Sequence, residues 1–190
     1  MKGKFVVQLG EQDAMPGGLG SLPVGAPTSV GSLPHLDRTT AINFVLERTP
    51  ELPAAPTVPA VDPLEMMIPQ ALWGVVGVEV RDDGSFSVPD PSALDPSAPL
   101  GDPELAGRPS ATWRQFLDAC AGRTDPIKLQ LTGPITLGLA LVEAGVPSSV
   151  AFEVAGRAVS GRARAVLAAA DVRAAGVPRV VVLDEPGLVG

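Results

Sequence analysis

Two adjacent carboxylates, Asp184 and Glu185, follow the apolar run Val180-Val181-Val182-Leu183 and precede Pro186-Gly187. A run with no polar face reads as a strand covered on both sides, as in a parallel sheet. Proline cannot continue a ladder and glycine permits a turn. The two acids are therefore expected at the carboxyl end of a buried strand, where ligands bind in α/β barrels and open α/β sheets. The alternative for such a pair is two solvated loop acids. Two further strand ends carry polar groups: Gly31-Ser32 after a strand near Val30, and Thr132-Gly133-Pro134 after a strand near Leu129. In a barrel these ends converge on one mouth. Backbone amides and a hydroxyl at one end, with a carboxylate at another, can hold a zwitterion. The carboxylate of an amino acid would take the N–H and hydroxyl donors, and its ammonium would take Asp184.

The elements that must position these groups follow from patterning. Asp37 is placed to cap a helix carrying Ala41, Ile42, Val45 and Leu46 and stopping before Pro50. ELPAAPTVPAVDP (residues 51–63), with prolines at 53, 56, 59 and 63, reads as extended connector. Pro63 opens a helix to Leu72. Segments 75–80 and 85–88 flank Asp82-Asp83-Gly84, a hairpin signal, and residues 90–109 form a Pro-rich loop. Ser110 opens a helix through Ala121. Strand 127–131, helix 135–144, a long helix from about Val150 to Ala175 and the Val180 strand form a parallel crossover unit, with Gly145 and Gly176 as helix stops. Four parallel strands result, near Val30, Val76, Leu129 and Val181.

Composition bounds the rest. The chain has 190 residues, a formal charge of −7, 21 Gly, 21 Pro and no Tyr. An acidic chain poor in aromatics is a poor nucleic-acid binder, because phosphates call for clustered Lys and Arg. One His (His35) and one Cys (Cys120) exclude an internal disulfide and a typical structural zinc site. No run is long enough to span a membrane, and no signal-peptide pattern is found, so the protein is expected in the cytoplasm. His35 is expected as a loop residue, Met66 and Met67 as core fillers, and Cys120 as a buried apolar group. Arg157, Arg162 and Arg164 are expected on the solvated face of the long helix. The GSLP echo at 20–23 and 31–34 is too short to make a repeat architecture.

VGSLPH (30–35), LTGPIT (131–136) and VVLDEPG (181–187), in that order, resemble the catalytic domain of cobalamin-independent methionine synthase and its shorter relatives, within the superfamily that includes uroporphyrinogen decarboxylase. The resemblance covers residues 28–190 and implies the N-terminal half of a TIM-type (β/α)8 barrel after an irregular segment 1–27. It implies a methyltransferase that moves a methyl group to the thiol of homocysteine, with zinc activating the thiol and a folate or a corrinoid protein as methyl donor. Carried onto this chain, Val30, Gly31 and Ser32 would hold the homocysteine carboxylate. Asp184, with Glu185 beside it, would hold the amino group, and Glu65 would be a second amino-group ligand. The family's zinc ligands follow the LDEP motif and fall beyond residue 190, so the 190 residues are expected to be inactive alone. With strands left open at the Val30 and Val181 edges, they are also expected to be oligomeric or partly molten. A uroporphyrinogen-decarboxylase-like enzyme and a non-catalytic half-barrel are the alternatives. The first of these calls for an Arg-rich loop near the first strand, where only Arg38 stands.

Overall fold

The structure, a computed structural model, describes Phe5–Val6 and residues 25–188. Most of the N-terminal segment 1–27, with the first GSLP copy, lies outside the described residues. Among the described residues five α-helices and five strands run in order: β1 (Phe5–Val6), α1 (Arg38–Arg48), α2 (Met67–Leu72), β2 (Glu79–Val80), β3 (Phe86–Ser87), α3 (Ala111–Ala119), β4 (Ile127–Thr132), α4 (Pro134–Glu143), α5 (Ser148–Arg173) and β5 (Arg179–Asp184). This is a mixed α/β fold. β4 and β5 pair in parallel from Ile127↔Arg179 to Thr132↔Asp184. β1 pairs antiparallel with the other edge of β5, Phe5 opposite Leu183 and Val6 opposite Val182. β2 and β3 form the expected hairpin.

Of the four expected parallel strands, β4 and β5 are regular. Near Val30 the chain makes a single parallel bridge, Ser32 to Thr57. No strand forms at Val76, which is 55% exposed. Gly74 and Gly77 have φ of +79° and +86°, and this left-handed backbone interrupts any extended run. The proline-rich connector takes the expected strand's place instead. Its Ala54 bridges Lys128 of β4 in parallel, and its Thr57 bridges Ser32. Ala55 N–H donates to the Lys128 carbonyl (2.8 Å) and Thr57 N–H to the Gly31 carbonyl (2.8 Å). Pro56, between them, has no N–H to give, and Pro53 only accepts, from Lys128 N–H. The segment is thus extended and bonded on both sides, but by single bridges and not by a ladder.

Two cores flank this sheet. In one, α1 (Ile42, Val45), α3 (Trp113, Phe116, Leu117) and the C-terminal half of α5 (Ala165, Val166, Ala170) close on Ile127, Leu129 and Leu131 of β4. In the other, α2 (Leu72) and α4 (Leu137, Leu141) close on the N-terminal half of α5 (Val154, Ala155, Val159). Leu183 of β5 packs against both. β5 itself is less covered than its run of valines suggests. Only Val182 of its six residues is buried, whereas five of the six in β4 are. The edge expected to be open is paired through β1 over two residues.

Candidate functional site: an acidic cleft at the strand ends

β4 and β5 end in register at Thr132 and Asp184, and the parallel bridge at Ser32 and Thr57 lies on the same side of the sheet. Between them opens a cleft of about 170 Å³. Val30, Ser32 and Thr57 line it on one side, Glu65, Met66, Met67 and Gln70 on another, and Gln130, Thr132 and Asp184 on the β4–β5 side. The three expected strand ends therefore meet at one concave surface.

The carboxylates divide sharply. Asp184 faces the cleft, and its side chain has no hydrogen-bond or ion-pair partner among the described residues. Glu185 does not line the cleft. Its Oε1 accepts from Ile135 N–H (2.9 Å), and its Oε2 from Thr136 N–H and Thr136 Oγ1–H (2.7 Å each). These are the unpaired donors at the start of α4, so Glu185 caps that helix across a chain separation of some fifty residues. The sequence set Glu185 beside Asp184 at the substrate, and in the fold its carboxylate is engaged with α4. Gly133 makes the cap fit, since a Cβ there would lie 2.1 Å from the Glu185 carboxyl carbon.

Glu65 is 1% exposed and fully engaged. Its Oε1 accepts from Arg38 Nε–H (3.1 Å) and Thr112 Oγ1–H (2.7 Å), and its Oε2 from Val58 N–H (2.9 Å). A buried carboxylate is tolerable only with such partners. Beside it, Arg108 donates to both oxygens of Asp62 (3.1 and 3.2 Å) and to Asp82 (2.6 Å), tying the hairpin turn to this wall. Arg38, Thr112 and Arg108 carried no motif that sequence reasoning could use, because their partners lie 26 to 74 residues away.

The remaining expected residues are placed as follows. Val30 is 64% exposed at the rim. Gly31 contributes backbone, and a Cβ there would lie 2.5 Å from Gln130 Nε2 and 2.8 Å from the Ala55 carbonyl oxygen, so the approach of these strands calls for glycine. Thr132 Oγ1 donates to the Met67 carbonyl (2.8 Å), holding α2 over the strand end. Met66 and Met67 line the cleft and do not fill the core. Arg162 is 3% exposed and not solvated.

Zinc does not fit the residues present. His35 packs against Phe44 with the rings tilted by 50° (centroids 5.2 Å apart), and it does not line the cleft. Cys120 is buried in the first core, and burial pushes its thiol up to about 11, against a smaller opposing effect of Arg123. Among the described residues no three His, Cys, Asp or Glu side chains are grouped to hold a metal, and no helix is long and apolar enough to cross a membrane.

The class so defined is a mixed α/β protein with an acidic, partly apolar cleft at the ends of parallel strands. Comparison of the chain with protein-family models, with curated proteins and with solved structures found no match.

Proposed function

We propose that this chain is the amino-acid-binding part of a methionine-synthase-like methyltransferase of the cytoplasm, acting on homocysteine. One observation carries this reading. The cleft presents one unpartnered carboxylate, Asp184, and the thioethers of Met66 and Met67, and no Lys, Arg or His lines it, while the Glu65 carboxylate in its wall is spent on Arg38, Thr112 and Val58. Such a lining suits a ligand with a cationic head and an apolar, sulfur-bearing body. The ligand ammonium sits against Asp184. Its carboxylate takes the Ser32 hydroxyl and nearby N–H groups, and its side chain runs along Met66, Met67 and Leu131. The reaction is methyl transfer to the thiol, from a folate or a corrinoid protein. In the complete family enzyme zinc supplies thiolate activation, and none of that chemistry is assigned to this chain's residues. The parallel segments 31–33 and 54–57, with β4 and β5, are read as four strands of an eight-stranded barrel. A polycarboxylate substrate of the uroporphyrinogen kind finds no cation in this lining and meets the like charge of Asp184.

Calorimetric titration with L-homocysteine, L-methionine and 4-mercaptobutanoate, the homocysteine analogue without the amino group, tests the proposal. The two amino acids should bind at least about tenfold more tightly than the analogue, the difference expected for one lost charge-assisted contact. Equal binding of all three, or none, contradicts it.

A further inference from the structure

β4 buries Ile127, Leu129 and Leu131 in the first core. Alternation turns its other residues, Lys128, Gln130 and Thr132, to the opposite face. Three polar side chains in a row on one face of a central strand need partners, and two of them have one. Lys128 Nζ donates to the Ser29 carbonyl (2.9 Å), and Thr132 Oγ1 donates to the Met67 carbonyl (2.8 Å). Gln130, between them, is the one residue of β4 that is not buried, and it lines the cleft. It pairs in register with Val182, two residues before Asp184 on the neighbouring strand.

The Gln130 side chain holds nothing in the fold. Its Oε1 is buried without a donor, and the amide has no hydrogen bond among the described residues. Polar groups enclosed in this way are normally paired, and an unpaired one lowers stability. No contact of the fold therefore accounts for an amide at this position. Its nitrogen end lies against the Val30-Gly31-Ser32 segment, since a Cβ on Gly31 would stand 2.5 Å from Gln130 Nε2. Val30 and Ser32, on either side of Gly31, line the cleft with Gln130.

An amino acid in the cleft brings a carboxylate as well as an ammonium group. Asp184 can serve only the ammonium, and no Lys, Arg or His lines the cleft to meet the carboxylate. Of the side-chain donors that do line it, Thr132 is spent on Met67, and Gln70 Nε2 already donates to the Pro109 carbonyl (2.7 Å). The hydroxyls of Ser32 and Thr57 and the amide of Gln130 remain, and only the amide carries two N–H donors.

We propose that Gln130 is a specificity-determining residue of the cleft, whose Nε2–H group donates to the α-carboxylate of the bound amino acid while Asp184 takes the ammonium. This rests on the amino-acid-binding reading above and adds to it the residue that recognises the carboxylate.

Calorimetric titration of the full 190-residue chain and its Gln130→Met variant tests it, with L-methionine and with 3-(methylthio)propylamine, which is methionine without its carboxylate. Gln130→Met keeps the length of the side chain and removes its donors. L-methionine should bind about tenfold more weakly to the variant, as expected for one lost hydrogen bond to a charged group. The amine should bind both proteins within about twofold of each other. Gln130→Glu is the second variant. It sets a carboxylate against that of the ligand and should weaken L-methionine further while leaving the amine bound as tightly or more tightly. Equal loss of both ligands in Gln130→Met would mark a structural role or a contact to the ammonium, and overturns the proposal. Unchanged L-methionine binding in Gln130→Met, or tighter L-methionine binding in Gln130→Glu, overturns it too. In each of these cases the wild-type chain still binds L-methionine, and the reading of the cleft stands. Absence of L-methionine binding to the wild type removes both.

Discussion

Asp184, Glu185 and Glu65 are three carboxylates with three different fates, and the difference lies in what donates to each. Asp184 has no partner among the described residues and faces the cleft. Glu185 is spent on the first turn of α4. Glu65 is sealed under the cleft wall between Arg38, Thr112 and Val58. Asp184→Asn should therefore leave the melting temperature nearly unchanged, within the range of a surface substitution (about 0.5 kcal/mol), while weakening amino-acid binding. Glu65→Gln should instead destabilise the fold by about 3 kcal/mol, because it removes the nearer of Arg38's two counter-charges, leaving Asp62 at 3.8 Å, and sets an amide donor where the buried carboxylate accepts from Thr112 or Val58. Chemical denaturation of the two variants checks both. Comparable losses of stability in the two would contradict the division of roles.

At the scale of elements, short-range chemistry was legible and long-range pairing was not. The Asp37 cap was readable because its acceptor and donor are three residues apart. Asp37 Oδ1 accepts from Thr40 N–H at 2.7 Å and begins α1. That bond holds the Asp37 carboxyl below its ordinary value of 3.8, chiefly through the Thr40 backbone N–H and then the Thr40 hydroxyl. Since the folded value is depressed, the cap's contribution is present above the unfolded value and is lost as pH falls through the folded one. The stability difference between wild type and Asp37→Ala should thus be full near neutrality and shrink below about pH 3.8. A difference that grows with acidity would be the contrary result. The bridging role of segment 53–58 escaped notice because proline normally marks a break. Here the N–H donors fall on Ala55 and Thr57, and proline supplies only the Pro53 carbonyl, a registration fixed by partners at Lys128 and Gly31 that no local pattern reveals. The Glu185 cap was illegible for the same reason, since the α4 donors it meets stand near residue 135. Gly133→Ala, which drives a methyl group into the Glu185 carboxyl, should unseat this cap and cost about 1–2 kcal/mol. If its thermal melt matched wild type, α4 would not need the cap.

Across the whole molecule, α5 ties the two cores together, contributing to one through Ala165, Val166 and Ala170 and to the other through Val154, Ala155 and Val159. A helix shared in this way makes separate melting costly. Leu129→Ala in the first core and Leu137→Ala in the second should each lower stability by about 2–5 kcal/mol and shift one common transition. Two resolved transitions in calorimetry would show that the cores unfold separately. β5 is paired along both edges near Val182 and Leu183, and two separate transitions would favour the partly molten state that the sequence suggested. The central claim, that the cleft at the ends of these strands receives an amino acid by its ammonium group, is tested most directly by a crystal structure with bound L-methionine. The account predicts the ammonium nitrogen within about 3 Å of an Asp184 carboxylate oxygen and the thioether against Met66 or Met67. Methionine bound with its ammonium away from Asp184, or bound outside the cleft, would contradict it.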